Sequence, residues 1–79
     1  MSGLATLNPT LAALMKAWKS LYRAEEKWDR AVGWQALDKA TRSKERAEAR
    51  LRSAQTAALM EVGDTEFVRL NGIAEYWAR

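Results

Sequence analysis

Neither cysteine nor histidine occurs anywhere in the 79 residues of this chain. That double absence limits how so short a polypeptide can hold itself together. A domain of this size buries only about 60% of the surface its unfolded chain exposes. Small folds compensate with disulfides, a metal, a partner or dense helix packing. Without Cys there is no disulfide. Without Cys or His, the usual sulfur and nitrogen ligands of zinc, haem and iron–sulfur centres are missing, so no cofactor and no metal is expected. Helix packing or association is left as the stabilising device.

The same absence narrows the chemistry. There is no imidazole to act as a general base near neutral pH and no thiolate nucleophile. Ser20, Ser43 and Ser53 have no His partner, and Gly3, Gly33, Gly63 and Gly72 form no phosphate-binding loop. Glu25 and Asp29 stand four apart, but Arg23, Lys27 and Arg30 around them favour a surface ion-pair cluster over an acid–base pair. With no assembled catalytic pattern, the chain is expected not to be an enzyme.

The apolar periodicity is helical. Asn8-Pro9 is a strong helix start, with Asn as the cap and Pro at the first helical position. Residues 1–8 are expected as a flexible lead-in. Leu11, Leu14, Met15, Trp18, Leu21 and Tyr22 then recur at spacings of three and four, and the face continues to Trp28 and Val32. A helix is expected over about 9–31. Gly33 favours a turn there, although Thr41 or Ser43 could cap a second helix that starts later. A second helix is expected over about 35–62. Its face is thin: Leu37, Ala40, Ala47, Leu51, Ala54 and Ala58, with Leu59, Met60 and Val62 at the far end. From Asp38 to Arg50, 8 of 13 residues are charged, so this stretch buries little on its own.

Gly63-Asp64 marks the next boundary, with Asp64 as the expected N-cap. Phe67, Leu70, Ala74 and Trp77 give a third helical face over about 64–78, flanked by Val68, Ile73 and Tyr76. Asn71-Gly72 between apolar runs is also a hairpin signal. The adjacent pairs Phe67-Val68 and Tyr76-Trp77 alternate poorly, which favours the helix. The expected fold is therefore all-α: a small single-domain helical bundle of two long antiparallel helices and a short C-terminal one.

No run approaches the roughly 18 apolar residues of a membrane span. The start lacks the basic region of a secretory signal before Leu4. Residues 1–24 have no acid and carry Lys16, Lys19 and Arg23, as transit peptides do, but they read better as a core helix. A cytoplasmic protein is expected.

Charge and aromatic residues supply the candidate binding sites. The net charge is +3, yet Arg42 to Arg52 alone holds five positive and two negative charges. Arg42, Arg46 and Arg50 stack four apart into a stripe, flanked by Lys39 and Arg52. Asp38 and Glu48 stand four before Arg42 and Arg52, as ordinary helical pairs do, so a solvated charged face is the plain alternative. Four Trp residues, 18, 28, 34 and 77, are many for this length. Trp fills small cores and anchors interfaces. Trp18 shares the Leu14/Leu21 face and is assigned to the core. Trp28 and Trp34 are the expected partner anchors.

In character the chain resembles the small proteins that phages and mobile elements encode to inhibit host machinery, of the anti-CRISPR type. Size, a single domain, a charged surface and the lack of catalytic motifs carry the resemblance; no motif does. It implies a role: binding a subunit of a host nucleic-acid-targeting complex and blocking it. Inhibitors of that type that occupy a positively charged nucleic-acid channel are usually acidic. This chain is basic, so the resemblance implies a contact with an acidic patch on a protein subunit, made by Lys39, Arg42, Arg46, Arg50, Arg52, Trp28 and Trp34, by a monomer or homodimer. Two other classes remain open: a small basic nucleic-acid-binding or architectural protein using the same stripe on phosphates, and a structural helical-hairpin oligomer using the thin Ala face.

Overall fold

The computed structural model describes residues 8–79. These form three helices and, among the described residues, no strand: α1 (Pro9–Arg30), α2 (Trp34–Val62) and α3 (Asp64–Ala78). The Asn71-Gly72 pair lies inside α3, so the hairpin alternative is excluded there. The other part of the expected lead-in, residues 1–7, lies outside the described residues. Asn8 does not belong to a lead-in: its side-chain Oδ1 accepts from the Leu11 N–H at 3.1 Å and caps α1. Pro9 follows at the first helical position, where its missing N–H costs nothing.

The two breaks are set by glycine. α1 ends at Arg30, one residue short of the expected end, and Ala31 turns extended (φ −65°, ψ 130°). Gly33 then adopts φ 86°, ψ 151°, and its carbonyl accepts the first α2 bond from the Leu37 N–H at 3.0 Å. The main turn is thus at Gly33, and Thr41 and Ser43 lie inside α2. Gly63 alone joins α2 to α3. Its N–H donates to the Leu59 carbonyl at 2.9 Å, and its own carbonyl accepts from the Phe67 N–H at 2.9 Å. Its φ 84°, ψ 172° is a region open essentially only to glycine. Gly63, not Asp64, is therefore the N-cap of α3. Asp64 and Glu66 sit in the first turn, where negative charge favours the helix dipole.

The core is built from leucine and alanine. One buried cluster joins Leu11 and Leu14 of α1, Ala58 of α2, and Leu70 and Ala74 of α3. A second joins Ala17, Leu21 and Ala24 to Ala47 and Leu51. Ala17, Leu21 and Ala24 thus meet the middle of α2, while α3 lies mainly against α1. Ala17 and Ala24 occupy buried positions that the large-residue pattern passed over. Their small side chains let α2 approach closely, and the larger Met15 and Trp18 pack at the margin. The α1 face does not continue to Val32, which stands 88% exposed in the turn. Leu37, Leu59, Met60, Val68, Tyr76 and Trp77 are likewise outside the core. No helix among the described residues is long and apolar enough to cross a membrane.

Candidate functional site

The stripe of Arg42, Arg46 and Arg50 is divided by its surroundings. Arg42 Nη2 lies 3.2 Å from Asp38 Oδ2, one turn back on the same helix. Arg46 and Arg50 have no carboxylate within ion-pair distance among the described residues. They turn instead toward α1 and line a groove of about 260 Å³ between the two long helices. Across from them stand Arg23 and Lys27 of α1, also without an ion-pair partner among the described residues. Ser20 and Ser43 complete the polar lining, and Ala24 and Ala47 form the floor. The groove contains four cations and no acid.

The spacing that builds this groove occurs twice. Ser20, Arg23 and Lys27 repeat as Ser43, Arg46 and Arg50, each set three and then four residues apart. Such positions share one helix face, so each helix presents a hydroxyl and two cations along one ridge. The buried alanines 24 and 47 bring the ridges together. The sequence reading found the α2 ridge and missed the α1 ridge, having assigned Arg23 and Lys27 to a surface cluster with Glu25 and Asp29. In that segment the ion pair present is Arg30–Glu26, at 3.7 Å. The signal for the missed half was the repeated Ser-x-x-Arg-x-x-x-Lys/Arg spacing.

The seven residues assigned from sequence do not form one surface. Arg52 is two residues beyond Arg50, about 200° further round the helix, and lies with Ser53, Thr56 and Met60 instead. Lys39 lies with Asp38, Arg42 and Glu45 along α2, and Arg46 borders that surface as well as the groove. The expected Glu48–Arg52 pair is not formed within ion-pair distance.

The four tryptophans differ in what they do. Trp18 is half-buried, stacks on Tyr22 at 5.7 Å, and donates its indole N–H to Asn71 Oδ1 at 3.0 Å. Trp28 is engaged inside the molecule. Its Nε1 donates to Thr41 Oγ1 at 3.0 Å, and Lys44 Nζ sits 4.8 Å over its ring. Trp34, the first residue of α2, is 78% exposed next to the Val32–Gly33 turn. Trp77 is 57% exposed and meets Tyr76 edge-on. Beyond the tryptophans, Tyr22, Glu75 and Arg79 form a tie between α1 and α3, with Arg79 Nε donating to the Tyr22 hydroxyl at 3.2 Å and Nη2 to Glu75 at 3.1 Å. The bonds to Tyr22 and Glu75 raise the Arg79 pKa above its ordinary value. No three carboxylates converge among the described residues.

Compared with known proteins, the chain matches no protein-family model, no curated sequence and no solved structure.

Proposed function

We propose that this chain is a non-catalytic protein-binding module: a small bundle, with α1 and α2 antiparallel, that acts by covering an acidic surface of a partner. The observation that carries this reading is Trp34. Trp34 is 78% exposed close to Val32, itself 88% exposed, and it belongs to neither core cluster. Exposed Trp is costly in water and is a favoured anchor in interfaces. Lys39 and Arg42 follow on α2, Arg42 held by Asp38 at 3.2 Å and Lys39 with no ion-pair partner among the described residues, and this positive charge favours an acidic patch. Trp28, held by Thr41 and Lys44, adds a fixed aromatic edge.

The role this supports is inhibition by occlusion, of the anti-CRISPR type: docking on a subunit of a host nucleic-acid-targeting complex in the cytoplasm. The test is capture on immobilised wild-type chain, and on Trp34→Ala and Arg42→Glu variants, from cells that carry such complexes. A single subunit retained by the wild type and lost with both variants is the expected result. The same protein retained equally by all three overturns the assignment of the surface. Retention of nucleic acid with no protein overturns the reading itself.

A further inference from the structure

We infer that the α1/α2 groove is a binding site for the phosphodiester backbone of a nucleic acid, separate from the Trp34 surface. Arg23, Lys27, Arg46 and Arg50 line it with Ser20 and Ser43. The cations come from two helices, yet none is neutralised by a carboxylate within ion-pair distance among the described residues. Residues 1–7, which the structure does not describe, contain no Asp or Glu. Of the five arginines outside the groove, four, Arg30, Arg42, Arg69 and Arg79, each reach an acid three or four residues away, and among the described residues only Arg52 does not. The groove is thus the place where positive charge is concentrated and left unmatched.

The chemistry of the lining selects the ligand. Guanidinium, ammonium and hydroxyl groups are the side chains that contact phosphate oxygens. An acidic protein patch would bring apolar anchors that need a pocket, and the groove floor offers only Ala24 and Ala47. No aromatic ring lines the groove, so it has no platform for stacking bases. The ligand is therefore held through backbone charge, without sequence reading. Lys16 and Lys19 continue the positive track along α1 past Ser20 and Arg23, in line with an extended polyanion.

The test measures binding of the full-length chain to mixed-sequence duplex DNA across a salt series. Neutralising four phosphates gives log K a slope of about −3.6 against log[salt], or about a hundredfold weakening between about 50 and about 200 mM salt. Arg23→Gln with Lys27→Gln should bring the slope to about −1.8, and that weakening to about tenfold. Both positions lie outside the Trp34 surface, and Trp34→Ala should leave the slope unchanged, so this site and the protein-docking reading fail separately. Circular dichroism confirms that each variant remains helical. A second duplex of unrelated sequence should bind within about threefold. No duplex binding at the lowest salt, an unchanged slope in the double variant, a strong sequence preference, or equally tight binding of polyglutamate would each overturn the inference.

Discussion

Trp18 and Asn71, 53 positions apart, are joined by a 3.0 Å hydrogen bond from indole Nε1 to side-chain Oδ1. The same oxygen also accepts from Gln55 Nε2 at 3.2 Å. One acceptor therefore ties α1, α2 and α3 together. A net stabilisation of about 0.5–1.5 kcal/mol is usual for such a bond. A double-mutant cycle on Trp18→Phe and Asn71→Ala should give a coupling energy of about that size in urea unfolding. Additive effects of the two substitutions would mean the bond contributes nothing to stability.

Leu14 is fully buried, at 0% exposure, whereas Val32 is 88% exposed. Leu14→Ala should lower the unfolding free energy by about 2–5 kcal/mol, because the cavity adds to the lost transfer energy. Val32→Ser should stay within about 0.5 kcal/mol of wild type. The check is the pair of urea midpoints measured side by side, and comparable shifts would contradict the placement of these residues.

The glycines divide by backbone, not by space. A β-carbon at Gly63 or Gly72 would meet nothing within 4 Å. Gly63 nonetheless holds φ 84°, so Gly63→Ala should destabilise by about 1–3 kcal/mol through strain alone. Gly72 lies within α3, so Gly72→Ala should stabilise by about 0.5–1 kcal/mol. Thermal melts showing both substitutions with the same sign would refute this division.

Glu66 accepts from Arg69 Nε at 3.0 Å. That hydrogen bond, aided by the guanidinium charge, holds the Glu66 carboxyl below its ordinary pKa. A lowered folded pKa means the pair favours the folded state above the ordinary carboxylate range, and the gain disappears as the pH falls through the folded value. Wild type should therefore be more stable than Glu66→Gln near neutral pH, with the gap closing on acidification. Denaturation curves near neutral pH and below the ordinary carboxylate range decide it, and a gap that stays constant rules the linkage out. Both side chains are substantially exposed, so the effect should be small and should shrink with added salt.

Much of the local structure was legible in the sequence because its causes are local. Asn8-Pro9 starts α1, and Gly33 and Gly63 stand at the two breaks. The boundary of α1 was one residue too long because Ala31 carries no stop signal of its own. Asn71-Gly72 looked like turn chemistry. The poor alternation around it nevertheless favoured the helix that is found, whereas the bonds from Trp18 and Gln55 to Asn71 involve partners that no short-range rule can name. Trp18 was legible as a core-side residue from its spacing, but its bond to α3 was not.

The candidate site shows the same division. Periodicity alone placed Arg42, Arg46 and Arg50 on one helix face, since a 3.6-residue repeat needs no partner to be read. Which of them is neutralised, and what stands opposite, depends on packing. Asp38 takes Arg42, while the close approach at Ala24 and Ala47 sets Arg46 and Arg50 across from Arg23 and Lys27. The sequence by itself determined an all-helical chain without the side chains for thiol or imidazole chemistry, and left the first break open between Gly33 and Thr41 or Ser43. Only the tertiary structure decided that two separate basic ridges share one groove, because charge adds up in space while a sequence orders it only along the chain.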